Sequence, residues 1–320
     1  MLLDLHTHTT ASDGTYTPQE LYQKAKEKGL EVLSITDHDT IDGLLTLKSQ
    51  LPGLNYEISF TESRSPNSDP QTTDLRSRIS NDASQFSTPE SRISDLEFIP
   101  CVEISAEFPK TLHILGYGFN LDDNKLSKTL KELQEYRLNR NKLMIEKMNA
   151  FGFNITMDEL LEISGGEVIG RPHFARLLLN KGYVNSIQEA FDKYLKKGAK
   201  FYLDKKRLSP REAIELITNA GGIAVMAHPY QAGLDDNDLE HLVVELKRYG
   251  VRGIEAFYSK HTPEMVHEYL KFAEKYELLV TAGSDFHGKN KPDISLGMQV
   301  PLAYLKNFLC VVSDRMISLK

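Results

Sequence analysis

Cysteine is nearly absent from this chain, with Cys101 and Cys310 the only two in 320 residues. Two thiols make no disulfide framework, and the composition reads as that of a reduced, soluble, cytoplasmic protein. Long apolar runs are missing too. None approaches the roughly 20 residues needed to span a bilayer, and no secretory leader opens the sequence, so no membrane partner is expected. Positive charge is not in excess, since 38 Lys and Arg face 45 Asp and Glu for a net −7. The chain as a whole is therefore no polyanion binder, and a nucleic acid would have to be met by a local basic patch.

What is present is a set of histidines and acids at the ends of apolar runs. Leu2 to Leu5 leads into His6-Thr7-His8, and strand geometry would place both imidazoles on one face, where they can grip one metal. A single His-x-His arises easily by chance. The same residue types recur, however, at Asp13, at Asp37-His38-Asp39 after the run Val32 to Thr36, at Glu103, His113 and His228, and at Asp285 and His287. The capping box Thr17-Pro18-Gln19-Glu20 starts a helix that runs to Gly29. Strand, helix and strand in that order imply neighbouring parallel strands, and functional groups of such sheets sit at strand ends.

Residues 61 to 97 break the pattern with a polar, Ser- and Arg-rich run that reads as a disordered surface insertion. Phe98 to Ser105 then forms a strand. Too few residues separate Glu103 from His113 for a crossover helix, so Leu112 to Phe119 should return as a hairpin that carries both to one place. From 121 to 208 the spacing is helical and the charge basic, implying an inserted helical domain over the α/β body, with residues 1 to 120 and 209 to 320 as the body's two parts. Gly170-Arg171-Pro172-His173 opens one of those helices, where Arg171 and backbone N–H groups suit a phosphate. Six basic residues and one acid between Lys196 and Arg207, Lys200 among them, make a second candidate for anion contact. Ser209-Pro210-Arg211-Glu212 repeats the capping signature. Strands at Ile223 to Ala227 and Leu278 to Ala282 then deliver His228 and the Gly283-Ser284-Asp285-Phe286-His287-Gly288 run, in which Asp285 and His287 alternate like His6 and His8 and so share a face. His241, His261 and His267 fall away from strand ends and read as surface residues.

His6, His8, Asp13, His38, Glu103, His113, His228, Asp285 and His287 exceed the four ligands of a tetrahedral zinc. They suit two or three divalent ions bridged by Glu103 and Asp285. Imidazole and carboxylate without thiolate fit Mn, Zn or Fe, and Cys101 reads as a buried strand residue.

In their order, HTH, Asp13, ITDHD, CVEIS, HILGYG, GRPHFAR, AHPY and GSDFHG resemble the motifs of the PHP (polymerase and histidinol phosphatase) family, over residues 1 to 60 and about 98 to 298. The resemblance is closer to the branch that holds nucleoside 3',5'-bisphosphate phosphatases and 5'-3' exoribonucleases. It implies a distorted (β/α)7 TIM-like barrel, a trinuclear metal centre with the residues above as ligands, and phosphoester hydrolysis by metal-activated water. On this reading the substrate is a small phosphorylated nucleotide, extending to single-stranded RNA 5' ends. Arg171, His173 and Lys200 would hold its 5'-phosphate, and Asp37 or a water on the metals would protonate the leaving 3'-oxygen. No protein partner is inferable. Competing expectations are a phosphatase of the histidinol phosphate type, which the GRPH segment and the helical cap disfavour, and a non-catalytic metal-bound scaffold, which the complete ligand set disfavours. The segment 61 to 97 and the tail after Met298 depart from the family pattern.

Overall fold

Helix boundaries follow from the local chemistry of the chain. In the computed structural model, Thr17 Oγ1 accepts the Glu20 N–H while the Glu20 carboxylate accepts the Thr17 N–H, so the capping box closes and α1 runs Pro18–Glu27. Ser209 and Glu212 repeat the arrangement at a later helix, Pro210–Asn219. The structure describes residues 1–50, 96–164, 169–204, 206–315 and 317–318. Of the segment 61–97, read from its composition as an insertion, only the last two residues fall within that range.

In chain order, β1 (Leu2–Asp4) precedes α1, and β2 (Val32–Leu33) precedes α2 (Asp42–Gln50). Then come β3 (Glu97–Phe98), β4 (Cys101–Ala106) and β5 (Leu112–Tyr117). A helical stretch follows: α3 (Asn124–Ala150), α4 (Met157–Ser164), α5 (Arg171–Asn180) and α6 (Ile187–Ala190), which continues as a π-helical turn, Phe191–Leu195. The chain returns to strands with α7 (Pro210–Asn219), β6 (Ile223–Met226), α8 (Asp236–Tyr249), β7 (Gly253–Tyr258), α9 (Pro263–Lys275) and β8 (Leu279–Gly283). It ends with β9 (Met298–Gln299), α10 (Leu302–Val312) and β10 (Ile317–Ser318).

The strands form two five-stranded mixed sheets, ordered β10-β3-β2-β1-β9 and β4-β5-β6-β7-β8. Strand pairing thus yields a mixed α/β fold in two sheets where a single barrel was expected. The reason lies in two turns of chain direction. β4 and β5 pair antiparallel as the short connection requires, with Glu103 opposite Leu115 and Ser105 opposite His113, and β5 pairs antiparallel with β6. The sheets meet along two seams. Thr7 bridges Phe286 beyond the ends of β1 and β8, and His38 bridges Glu103 where the chain after β2 passes β4. Leu5 N–H donates to Ala282 O (3.1 Å) at the first seam, and Asp39 N–H to Glu103 O (2.9 Å) at the second.

Apolar residues on these strands, among them Leu3, Leu5, Val32, Ile35, Ile104, Ile114, Val225 and Ile254, are buried in one core with the helices that flank the sheets. Each fully buried aliphatic side chain contributes about 1.5–3 kcal/mol relative to an exposed one. A second apolar cluster is built from Met144, Met148, Leu160, Phe174, Leu178, Leu195 and Phe201. Helix α3 joins the two, giving Leu126, Leu130 and Leu133 to the first core and Met144 and Met148 to the second. Cys101 is buried in β4, as its apolar context implies. Among the described residues no helix is long and apolar enough to cross a membrane.

Close approach at the first seam requires glycine at 283, where a Cβ would stand 2.2 Å from His6 Cβ and 2.9 Å from a Glu255 carboxylate oxygen. The Gly283→Ala variant should therefore lose about 1–3 kcal/mol from forced separation of the strands. Denaturant unfolding read by circular dichroism checks this, and an unchanged midpoint would show that the seam tolerates the methyl group.

Candidate active site

Both seams deliver polar side chains into one buried cluster. Beyond β1 the chain continues extended through His6 and His8 against the residues that follow β8, with Asp285 N–H donating to His6 O (2.8 Å) and His8 N–H to Phe286 O (2.9 Å). Beyond β2 it places His38 beside β4, whose Glu103 is fully buried. The hairpin adds His113 from β5, and β6 runs out into His228. Backbone strain marks these positions: Asp39, His228 and Asp285 have φ of 54°, 23° and 60°. Conformations of this kind cost about 1–3 kcal/mol each in non-glycine residues and persist where the surroundings enforce them. Asp285 and His287 therefore do not share a face by strand alternation. β8 ends at Gly283, and a left-handed turn at Asp285 brings both side chains inward.

Glu103 stands at the centre. Its Oε1 lies 2.6 Å from His113 Nδ1 and 2.9 Å from His228 Nε2. Its Oε2 lies 2.9 Å from His38 Nδ1, 3.2 Å from His8 Nε2 and 3.3 Å from His6 Nε2. Asp285 Oδ1 is 3.2 Å from His8 Nε2 and 3.3 Å from His287 Nδ1, and Asp13 Oδ1 is 3.2 Å from His287 Nε2 and 3.9 Å from His38 Nε2. The structure thus brings His6, His8, Asp13, His38, Glu103, His113, His228, Asp285 and His287 together.

Proton affinities reflect the crowding. Burial alone would raise Glu103, Asp13 and Asp285, but the imidazoles around them hold all three well below the usual carboxylate range. Burial pulls His6 and His8 down, and the carboxylates reverse it: Glu255 and Glu103 lift His6 well above its ordinary value, and Asp285 and Glu103 lift His8 to about 9. His113 goes the other way, carried by burial down to about 4 with Glu103 offsetting part of the loss. The carboxylates stay ionised at neutral pH, and a cation entering the cluster competes with protons on His6 and His8.

Hydrogen bonds do not satisfy this cluster. His6 Nε2, His8 Nε2, His38 Nδ1, His228 Nδ1 and Glu103 Oε2 are buried without a hydrogen-bond partner, an arrangement that costs about 1–3 kcal/mol for each neutral group. Divalent cations would satisfy such lone pairs at once. Three groups have ligand atoms within 4.8 Å of one another: His8, Asp13, His38 and His287; His6, His8, Glu103 and Asp285; and His38, Glu103 and His113. The donor set of imidazole and carboxylate suits divalent transition metals.

Several residues that hold the cluster were not singled out by sequence pattern. Glu255 on β7, fully buried, accepts from His228 N–H through Oε2 (2.8 Å) and places Oε1 2.9 Å from His6 Nδ1, which leaves His6 Nε2 facing Glu103. An acid inside the apolar strand Gly253–Tyr258 was the available signal. Tyr258 donates to Asp285 Oδ2 (2.8 Å), and Lys291 reaches the same oxygen at 2.6 Å. Asp4 accepts from Ser284 N–H and Oγ–H, and burial pushes it up to about 6. Asp37 proves to be a positioning group. It is buried and accepts from Thr9 N–H and Oγ1–H (2.7 Å each) and Ser12 Oγ–H (2.6 Å), which fixes the loop that carries His8 and Asp13. Both of its oxygens are engaged by these donors. His261, read from the sequence as a surface residue, is mostly buried, with Nδ1 2.9 Å from Ala256 O.

A chamber of about 430 Å³ opens over the cluster, with Asp13, His38, His113 and His287 on its floor and Arg137, Arg140, Arg171, Arg176 and Arg207 in its walls. Arg137 pairs with Asp39. Burial and the like charges of Arg137, Arg171 and Arg207 draw Arg140 down to about 10. Arg171 donates to Leu195 O (3.2 Å) and lies over the Tyr202 ring. His173 also lines the chamber; Gly170 N–H donates to its Nδ1 (3.0 Å), which puts the proton of the neutral ring on Nε2. Burial lowers its proton affinity, so it is neutral at physiological pH. Lys200 is not part of the chamber. Its ammonium sits 3.1 Å over the exposed Phe151 ring, a cation–π contact.

Comparison with known proteins came to the same region of chemistry. Residues 4–66 match the family model described as PHP domain. A 3',5'-nucleoside bisphosphate phosphatase from Chromobacterium violaceum is 28% identical over 297 residues, covering 92% of this chain and 90% of the relative. A 5'-3' exoribonuclease from Haemophilus influenzae is 29% identical over 285 residues, covering 89% of each. A solved chain from Bifidobacterium adolescentis, assigned as a metal-dependent phosphoesterase, superimposes with TM-score 0.69 at 28% identity, covering 96% of this chain and 95% of the other.

Glu255→Gln would keep the volume and remove the charge that orients His6. Loss of a partner of this kind lowers metal affinity about 10–100-fold. Competition of the protein with a chromogenic chelator for Mn or Zn measures it, and an unchanged affinity would show that Glu255 serves packing alone.

Proposed function

We propose that this chain is a PHP-type metal-dependent phosphoesterase that removes the 3'-phosphate of nucleoside 3',5'-bisphosphates and trims 5'-phosphorylated RNA. The observation that carries this reading is one chamber with an imidazole–carboxylate cluster suited to cations as its floor and five arginines in its walls. A phosphomonoester has one phosphate to place. A bisphosphate has a second, which suits the arginines and offsets the like-charge repulsion that, after burial, draws Arg140 down.

In this reading the cluster of nine would hold two or three divalent ions, Mn, Zn or Fe, with Glu103, Asp285 and Asp13 as the carboxylate ligands beside the six imidazoles. Bound ions of that kind lower the pKa of water to around 7 and stabilise charge on phosphoryl oxygens. Protein groups do the rest. Glu255, Asp37 and Tyr258 hold ligand side chains in place, Arg171 and its neighbours anchor the 5'-phosphate, and His173 offers an uncharged Nε2–H to a substrate oxygen. Lys291 balances Asp285. The two sheets are read as halves of a distorted (β/α)7 barrel closed along the Thr7–Phe286 and His38–Glu103 seams. Residues 121–208 are read as a helical cap with its own apolar cluster, set between body segments 1–120 and 209–320.

Hydrolysis of adenosine 3',5'-bisphosphate tests the reading through two kinds of variant. His8→Ala and Asp285→Ala should each lower turnover by at least about a thousandfold, since each removes a ligand of the ions that would activate the water, while circular dichroism stays that of the parent. Retained turnover in both with metal in excess would remove the cluster from the chemistry. Arg171→Ala should raise KM for the bisphosphate on the order of tenfold and leave that for a simple aryl phosphate unchanged, because it removes one charge-assisted contact. Equal effects on both substrates would place Arg171 elsewhere than at the second phosphate.

A further inference from the structure

Hydrolysis of a bisphosphate at its 3' end and removal of the first nucleotide from a 5'-phosphorylated RNA break the same bond. Water oxygen adds to phosphorus, the P–O3' bond breaks, and O3' leaves as a hydroxyl with a proton that the water supplies. The difference lies in one other oxygen on the reacting phosphorus. In the bisphosphate it is free; in RNA it carries C5' of the next nucleotide. An enzyme that accepts both needs an exit for that substituent, on a side away from the arginines that hold the 5'-phosphate.

The structure has a groove beside the chamber, lined by none of those arginines. A hollow of about 580 Å³ is lined by Lys24 and Lys28 of α1, by Tyr16, and by Phe286 and Lys289 of the segment after β8. It shares a wall with the reaction chamber. Lys289 faces the groove while the next two residues, Asn290 and Lys291, line the chamber. That wall is braced against the loop bearing Asp13: Asn290 Nδ2–H donates to Asp13 O (2.8 Å), and Lys289 N–H to Thr15 Oγ1 (2.9 Å). Tyr16 is stacked on Phe286 with ring centroids 5.8 Å apart, and the Lys24 ammonium stands 5.3 Å over the tyrosine ring. Lysines beside an aromatic platform are what a single strand needs, charge for its backbone and a face for a base. Glu27 is the groove's one acid. In a chain of net charge −7 this local basic surface is set against the overall sign.

We propose that the groove between α1 and the 286–296 segment receives the nucleotide downstream of the scissile phosphate of a single-stranded, 5'-phosphorylated RNA. Lys24 and Lys289 contact its backbone, and the Tyr16–Phe286 pair lies under its base. The proposal rests on the phosphoesterase reading above. Mononucleotide bisphosphates end at the scissile phosphate and do not reach the groove.

The test compares adenosine 3',5'-bisphosphate with a 5'-phosphorylated tetraribonucleotide, in parent protein and in the Lys289→Glu and Lys24→Glu/Lys289→Glu variants. Thermal unfolding confirms that each is folded, and Lys289→Ser, which alters only an exposed side chain, replaces any variant that is not. The expected result is at least a tenfold loss of kcat/KM on RNA in the double variant, with the bisphosphate within twofold of parent. The slope of log kcat/KM against log salt on RNA should fall by about 1.4 for two lost phosphate contacts on a single strand. Unchanged RNA turnover, or equal loss on both substrates, overturns the groove. Parent protein that hydrolyses the bisphosphate and leaves RNA intact overturns the groove and spares the phosphatase reading, whereas metal-loaded parent inert on both overturns the two together.

Discussion

A single carboxylate, Glu103, organises this molecule, because five imidazoles from four separate stretches of chain converge on its two oxygens at 2.6 to 3.3 Å. Such convergence is expensive in a buried setting. Lone pairs are left without hydrogen bonds, the backbone is forced to positive φ at Asp39, His228 and Asp285, and glycine is required at 283. Without a compensating cation these features are a concentrated defect in an otherwise well-packed core. Several local departures from stable geometry in one place are what a site built to hold something shows.

The fold supports that concentration through its seams. Two mixed sheets meet where β1 runs on beside the residues after β8 and where the chain after β2 passes β4. Ligand-type residues sit at those junctions, where backbone pairing between the sheets fixes their positions more tightly than a free loop would. The groups behind them, Glu255 on His6 and Asp37 on the Thr9–Ser12 loop, carry the fixation outward by one layer.

Much of the centre was legible in the sequence because its residues stand at the ends of apolar runs, where composition changes abruptly. His6, His8, His38, Glu103, His113, His228, Asp285 and His287 all carry that signal, as do the two capping boxes and the β4–β5 hairpin. What resisted reading depends on three-dimensional placement. Glu255 and Asp4 stand in apolar strands, a hint of burial, but their partners lie far along the chain and no local pattern points to them. The wall arginines come from α3, α5 and the chain before α7, and their convergence is a property of helix packing. The placements of Lys200 and Asp37 also depend on packing: Lys200 lies over Phe151, and Asp37 accepts three hydrogen bonds from Thr9 and Ser12. Alternation placed Asp285 and His287 together on the right side for the wrong cause, since a left-handed turn does the work.

The most direct measurement is an anomalous diffraction map of crystals grown from Mn-loaded protein. The account predicts at least two strong peaks within about 2.0–2.3 Å of the cluster's nitrogen and oxygen atoms, the usual range for divalent ions on these ligands, with Glu103 shared between them. Active, Mn-loaded protein with no anomalous density among Glu103, His6, His8 and His38 would contradict it.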